Sequence, residues 1–184
     1  YYSHFIVGPL LEFGETRAKS ISLDYGFTDQ LEIGIFGIES SADNRLNGNR
    51  TDWGAVIEWV SEDESVRYGL SYLSDLAESD EQLLSDFQNI YTNRVDAISA
   101  YGFWGFDNFE ITAEFVRALG KFTEFDPEFD QPEAYNMEFA YFPTETIQLA
   151  LRYEISKELE DAPKYRYGAG FRWLIIDNVN VAFD

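Results

Sequence analysis

The stretch TIQLALRYEISKELEDAPKYRYGAGFRW, residues 146–173, decides the fold, because it alternates apolar and polar side chains in two successive segments. The odd-numbered positions of residues 147–155 are Ile, Leu, Leu, Tyr and Ile, and those of residues 165–173 are Tyr, Tyr, Ala, Phe and Trp. A period of two is typical of a β-strand with one apolar and one polar face. A tilted strand of about 9–11 such residues is long enough to cross a lipid bilayer.

The same alternation recurs along the chain and predicts consecutive strands joined as hairpins. The predicted strands, about eleven in all, are residues 5–13, 18–27, 31–39, 52–60, 66–75, 95–104, 109–118, 134–142, 146–156, 165–173 and 179–184. Pro9 makes the first strand the least regular, because proline donates no hydrogen bond to a neighbouring strand. Capping-box spacing at Ser79 and Gln82, with apolar residues at helical intervals after it, predicts one short helix within residues 79–90.

The connections between the predicted strands alternate in length. The short ones are residues 28–30, 61–65, 105–108, 143–145 and 174–178, and the longer polar ones are residues 40–51, 76–93, 119–133 and 157–163. Short turns at one rim and long loops at the other are typical of outer-membrane barrels, whereas Greek-key connections mix the two ends of a sandwich. The sequence therefore predicts an all-β fold, an up-and-down antiparallel transmembrane β-barrel.

The composition bounds the class of protein. The 184 residues allow a single domain, and 13 basic against 34 acidic residues give a net charge of −21. That charge argues against a nucleic-acid partner, because binding phosphates depends on a basic surface. The absence of Cys excludes disulfides and thiolate sites, and no apolar run approaches the roughly 18 residues of a membrane-spanning helix.

The direction of the strands bears on the extent of the domain. Short turns belong at the periplasmic rim of an outer-membrane barrel, so the first and the eleventh predicted strands both run outward. Bacterial barrels have an even number of strands, and both of their termini lie at the periplasmic side. We therefore expect residues 1–184 to form one barrel region that lacks at least one C-terminal strand and is also truncated at the N-terminus.

Three features indicate that the apolar faces point outward. Large aromatic side chains crowd the apolar face of every strand, and two packed sheets would struggle to enclose them. Glycine recurs on the polar faces, which suits a crowded lumen. Tyr and Trp also fall near strand ends, as an aromatic girdle requires. The girdle candidates are Trp53, Trp59, Tyr72, Tyr101, Tyr141, Tyr153 and Trp173. A soluble β-sandwich, with these faces turned inward, stays open as an alternative.

Charged residues on the polar faces are the candidate functional residues. The predicted lumen-facing residues are Arg67, Asp75, Asp96, Glu110, Glu114, Glu138, Arg152, Glu154, Arg166 and Arg172. Glu58 belongs with them, whereas the side of Arg117 depends on a bulge near Val116. Arginines that face carboxylates across a pore would orient and select polar or charged solutes. The same residues could instead be paired charges that hold the interior together, and the two roles are compatible.

Catalytic signatures are lacking. His4 is the only histidine, and the sequence contains no G-x-S-x-G elbow, phosphate loop or metal-spaced His pair. The acidic residues of the loop 119–133 offer oxygen ligands, but without the defined spacing and glycine of a calcium loop. We expect no enzyme activity, no cofactor and no metal site.

Several strings also resemble a known family, the LbtU-family siderophore porins. They are VRYGLSYLSDLAESD (66–80), VDAISAYGFWGFDNFEITAEFVRAL (95–119), EAYNMEFAYFP (133–143) and the run from residue 147 to the end. The resemblance covers most of the chain from about residue 52 and rests on strand faces and turns, so it carries over no binding residue. It implies a bacterial outer-membrane barrel in contact with the lipid bilayer and associated with siderophore uptake.

Three functions follow as hypotheses. The first is a porin of a Gram-negative bacterium that passes a polar small molecule, such as a ferric siderophore. The second is a structural or adhesin-like barrel that conducts nothing, and a lumen filled by interlocked Arg and Glu would favour it. The third is a soluble β-sandwich binding module, which would require the aromatic faces to oppose each other.

Overall fold

The protein folds into one antiparallel sheet. The computed structural model describes residues 3–6, 8–9, 19–39, 51–78, 93–159, 162–176 and 179–184. In that part of the chain, ten strands follow one another in sequence order across a single sheet. They are β1 (Ser20–Gly26), β2 (Leu31–Glu39), β3 (Thr51–Val60), β4 (Val66–Leu73), β5 (Ala97–Phe106), β6 (Phe109–Ala118), β7 (Glu133–Thr144), β8 (Ile147–Lys157), β9 (Tyr165–Ile176) and β10 (Val179–Phe183). The predicted all-β up-and-down meander is confirmed.

The sheet is open in the described part of the chain. β1 pairs with β2 and β10 pairs with β9, and these two edge strands do not pair with each other. The connections alternate in length as predicted: residues 61–65, 107–108 and 145–146 are short, whereas residues 74–96 and 119–132 are long. We call the two ends of the sheet the short-connection rim and the long-connection rim.

The strand predicted for residues 5–13 is wrong where the structure describes it. Phe5, Ile6, Gly8 and Pro9 lie outside any strand. The backbone N–H of Ile6 donates to the side chain of Asp184 at 2.8 Å, instead of to a neighbouring strand. Residues 7 and 10–13 lie outside the described residues, as does the helix predicted within residues 79–90. The described residues just before that helix, Leu76–Glu78, form a 3-10 helix.

The burial of the two faces is the reverse of that in a water-soluble sheet. Glu138 and Glu154 are fully buried, whereas Leu151 is 60% exposed and Tyr167 is 75% exposed. Among the residues that the structure describes, the buried apolar ones form two small clusters instead of a continuous core. One cluster lies at the long-connection rim around Phe122, and the other packs Phe5 against small residues of β7 and β8. No helix among the described residues is long and apolar enough to span a membrane.

The connection between β3 and β4 shows how a short turn is fixed by its own side chains. The carboxylate of Asp63 accepts hydrogen bonds from the hydroxyls of Ser61, at 2.7 Å, and Ser65, at 2.8 Å. These bonds, that from Ser61 first, lower the pKa of Asp63 to about 2. Glu64 takes a positive φ of 57°, which tightens the turn. The carboxylate is therefore ionised at neutral pH and holds the turn closed.

We predict that Gly69→Ala destabilises the sheet, whereas Gly105→Ala does not. A Cβ at position 69 would overlap the ring of Tyr101, whereas a Cβ at position 105 meets its nearest neighbour, Phe103, at 3.5 Å. The free energy of unfolding, measured with urea in detergent micelles, should fall by about 1–3 kcal/mol for Gly69→Ala. Equal stability of the two variants would show that Tyr101 does not pack on β4.

Candidate functional site

The register of β6 to β9 gathers charged side chains in rows on one side of the sheet, which we call the polar face. Glu138 of β7 lies opposite Arg152 of β8, and Arg152 lies opposite Gly168 of β9. One row further along, Glu154 of β8 lies opposite Arg166 of β9. Side chains directly opposite each other on one face are close enough to interact. The alternation in the sequence therefore becomes ladders of opposite charge.

The ion pair between Glu138 and Arg152 is the centre of the polar face. Nε of Arg152 donates to Oε1 of Glu138 at 2.8 Å, and a second guanidinium nitrogen donates to the same oxygen. The Glu138 side chain is 0% exposed and that of Arg152 is 3% exposed. A buried charge is tolerated only when it is paired and hydrogen-bonded, so each of these residues depends on the other.

A second pair lies beside it. Nε of Arg166 donates to the fully buried carboxylate of Glu154, and another nitrogen of Arg166 donates to the backbone carbonyl of Gly8 at 2.7 Å. On the adjacent strands, the amide of Asn136 donates to Glu114 at 2.9 Å. The polar face between β6 and β9 is thus a connected network, in which most of the charge is neutralised locally.

Residues 3–6 and 8–9, which we call the N-terminal segment, lie across this network. The Ser3 hydroxyl and the backbone N–H of His4 donate to the two carboxylate oxygens of Glu138, at 2.9 Å and 2.8 Å. The Phe5 ring lies 4.4 Å from the Arg152 guanidinium, in cation–π geometry. A Cβ at Gly168 would lie 2.8 Å from this ring, so the glycine makes room for it. The segment completes the hydrogen bonding of Glu138.

The single histidine also belongs to this site. The His4 ring contacts the amide of Gln148, and its Nε2 lies 3.5 Å from a carboxylate oxygen of Glu110. The sequence alone gave His4 no role, because its partners are more than 100 residues away in the chain. The sequence predicted that this region joins the sheet as a strand through Phe5, whereas in the structure the segment lies across the polar face.

The register shows where each predicted lumen-facing residue lies. Eight of them project from the polar face, as predicted: Arg67, Glu110, Glu114, Glu138, Arg152, Glu154, Arg166 and Arg172. Arg67 lies at the short-connection rim, where it pairs with Glu64 at 2.8 Å instead of joining the central network. The other two predicted residues, Asp75 and Asp96, are placed differently.

The prediction for Asp75 and Asp96 is wrong. β4 ends at Leu73, and the buried Asp75 carboxylate accepts the backbone N–H of Ala77 at 3.0 Å, which caps the 3-10 helix. Asp96 precedes β5 and accepts a hydrogen bond from the Tyr72 hydroxyl at 2.9 Å, on the apolar side of the sheet. Arg117 is also on the apolar side.

Tyr101 is the girdle candidate that the structure contradicts. It lies opposite Gly69 and Glu114, and its hydroxyl donates to Glu58, so it belongs to the polar face. β5 carries aromatic residues on both alternations, and the sequence interpretation assigned the wrong alternation to the apolar face. Gly69 explains why Tyr101 lies on the polar face, because only a residue without a side chain leaves room for the Tyr101 ring on β4.

The other girdle candidates lie on the opposite side, which we call the apolar face. At the long-connection rim, Trp53 packs on Tyr72 with ring centroids 5.0 Å apart, and Tyr153 stacks on Tyr167. Trp59, Tyr141 and Trp173 lie towards the short-connection rim. The sequence interpretation missed two further aromatic residues of the apolar face, Tyr68 and Trp104, although both follow the same alternation. The indole N–H of Trp104 donates to the Tyr68 hydroxyl at 3.1 Å.

Two carboxylates of the acidic loop before β7 bond to other groups of the protein. Asp130 pairs with Lys121 at 2.8 Å and raises the pKa of that lysine through this hydrogen bond. Glu124 accepts the backbone N–H of Asn93 at 3.1 Å. Among the described residues, no three His, Cys, Asp or Glu side chains are arranged to hold a metal ion.

Comparisons with known proteins do not identify the chain: no family model matches it, and no curated protein matches it. The resemblance to the LbtU-family porins is carried by sequence strings alone and stays a prediction. The functional argument therefore depends on the geometry of the two faces.

We predict that Glu138→Gln lowers the free energy of unfolding by about 3–5 kcal/mol, because it leaves Arg152 buried without a counter-charge. The matched control is Arg67→Met, which removes an exposed ion pair and should cost about 0–1 kcal/mol. Urea unfolding in detergent micelles measures both. A Glu138→Gln variant as stable as the control would mean that water reaches the Glu138–Arg152 pair.

Proposed function

We propose that the chain is part of an outer-membrane β-barrel of a Gram-negative bacterium, and that it passes polar solutes, such as ferric siderophores, along its polar face. The observation that carries this proposal is the reversed burial of the two faces. Large apolar side chains cover one side of the sheet and many of them are exposed, whereas the carboxylates of Asp52, Glu138 and Glu154 and the guanidinium of Arg152, on the other side, are buried. Exposing a continuous apolar surface to water costs about 25 cal/mol per Å², and a lipid environment removes that cost.

The distribution of charge on the apolar face supports the same proposal. Within the described strands, the charged side chains on this face are Glu39, Arg117, Glu133 and Lys157. All four lie at the long-connection rim, so the remaining height of the face is free of charge. A charge-free band between aromatic rims is the pattern of a lipid-facing barrel surface, because charge is costly at the middle of a bilayer.

Transport is supported by the chemistry of the polar face. Carboxylates of β7 and β8 pair with guanidinium groups of β8 and β9, as at Glu138 with Arg152 and at Glu154 with Arg166. Rows of opposite charge orient polar solutes and select among them. The residues with the most direct part would be the partly exposed Arg166 and Arg172, together with Glu110 and Glu114, because Arg152 is buried beneath the Phe5 ring.

A non-conducting structural barrel is the second candidate, and one observation favours it. The N-terminal segment and the interlocked Arg–Glu pairs fill the polar face between β6 and β9. The soluble β-sandwich has less support. In the described part of the chain there is one sheet, and its aromatic face has no second sheet packed against it.

The first test is whether the protein enters a bilayer and conducts. We expect the full-length protein, refolded into planar bilayers, to give stepwise conductance that a ferric siderophore reduces. Conductance that is indifferent to siderophore would leave a general porin. Failure to insert, by protein that stays monodisperse in buffer without detergent, would overturn the membrane proposal.

We further predict the effect of removing the N-terminal segment. Deleting residues 1–9 should raise the single-channel conductance several-fold, because the Ser3, His4 and Phe5 side chains then leave the polar face. The control is Lys19→Gln, a change at an exposed side chain of the first hairpin, which should leave conductance unchanged. No conductance from either protein, once folded in the membrane, would establish the structural barrel.

A further inference from the structure

The apolar face carries one compact group of charges that the proposed function leaves unexplained. Arg117 of β6, Glu133 of β7 and Lys157 of β8 lie opposite one another in register at the long-connection rim. Nε of Arg117 is 3.3 Å from one carboxylate oxygen of Glu133, and Nζ of Lys157 is 2.6 Å from the other. We call these three residues the rim triad.

The rim triad presents positive charge to its surroundings. The Glu133 side chain is only 8% exposed, whereas those of Arg117 and Lys157 are 46% and 54% exposed. One buried carboxylate therefore orders two exposed cations and neutralises half of their charge. An arginine has five N–H donors and a lysine three, so most of the donors in the triad are left for another acceptor.

The neighbouring carboxylates are committed elsewhere. Asp130 bonds to Lys121, and Glu158 accepts the backbone N–H of Gln131 at 2.9 Å. The chain has a net charge of −21, so the net positive charge of the rim triad stands out against the acidic composition of the chain. Its position where an apolar face meets polar loops is that of a membrane interface, where lysine and arginine meet lipid headgroups.

An apolar groove of about 590 Å³ leads away from the triad across the apolar face. Lys157 stands at one end, and Trp104 and Tyr68 stand at the other, next to the short connection before β4. The floor is made of the small residues Ala100 of β5 and Ala113 of β6, and the Trp104 ring covers the neighbouring Gly102. Larger side chains such as Phe115, Met137 and Tyr153 also line the groove. The groove thus spans the apolar face from rim to rim.

We propose that the rim triad and this groove form a binding site for one anionic, phosphate-bearing membrane lipid. The phosphate oxygens accept hydrogen bonds from Arg117 and Lys157, and an acyl chain lies in the groove over Ala113 and Ala100. A guanidinium matches two phosphate oxygens at once, and an ammonium adds a point charge. The ligand must be anionic overall, because the ammonium of a zwitterionic headgroup cancels its attraction to the triad. This inference rests on the proposed membrane location.

Native mass spectrometry of the full-length protein, released from mixed phosphatidylglycerol and phosphatidylcholine micelles, tests the site. We expect the wild-type protein to retain phosphatidylglycerol preferentially. Arg117→Gln with Lys157→Gln should reduce that preference by about tenfold. The matched control is Lys19→Gln, because Lys19 also pairs with a rim carboxylate, Glu39, but has no groove beside it.

A second variant tests the groove without touching the charges. Ala113→Phe fills the floor, and should lower retention of phosphatidylglycerol while the triad stays intact. Unchanged preference in both the triad variant and Ala113→Phe overturns the site, as does an equal loss in Lys19→Gln. Insertion into vesicles is measured on the same samples. Failure to insert would count against the membrane proposal, whereas normal insertion with unselective lipid retention would count against this site alone.

Discussion

The buried ion pair between Glu138 and Arg152 is the interaction on which the surrounding structure depends. Two charges without water demand partners for all their donors and acceptors, and the sheet alone does not supply them. The N-terminal segment does: Ser3 and the backbone of His4 bond to Glu138, and Phe5 covers Arg152. Gly168 then has to be a glycine, because the Phe5 ring occupies the space of its side chain. One electrostatic requirement thus accounts for the position of a terminal segment and for a glycine.

The two faces of the sheet differ in how their side chains are paired. Between β7 and β9, the polar face pairs its most buried charges internally, as at Glu138 with Arg152 and at Glu154 with Arg166. Away from its charged rim, the apolar face consists of side chains that project from the backbone, and no second layer within the described ranges meets them. Apolar surroundings would remove the cost of exposing such a face to water. That asymmetry carries the proposed membrane location, which does not depend on any single residue.

Alternation predicted most of the sheet, because a period of two is a local property that survives without knowledge of the fold. It failed where the pattern was symmetric or absent. β5 has aromatic residues in both phases, and only the cross-strand space at Gly69 decides that Tyr101 faces the charges. Asp75 follows β4 too closely for the pattern to show where the strand stops. The N-terminal segment bonds to residues more than 130 positions away, and no local pattern encodes such contacts.

The edge strands β1 and β10 impose a further requirement. Every residue of β1 is exposed, and in the part of the chain that the structure describes β1 pairs along one side only. In water an unpaired edge is an aggregation hazard, but in a bilayer each unpaired N–H or C=O costs several kcal/mol, because no water can replace the missing partner. A bilayer therefore requires the outer edges of β1 and β10 to be paired. Closure would enclose the polar face, and with it the Glu138–Arg152 network, while leaving the aromatic face outside. The burial already observed in the open sheet is the one that such a closed form needs.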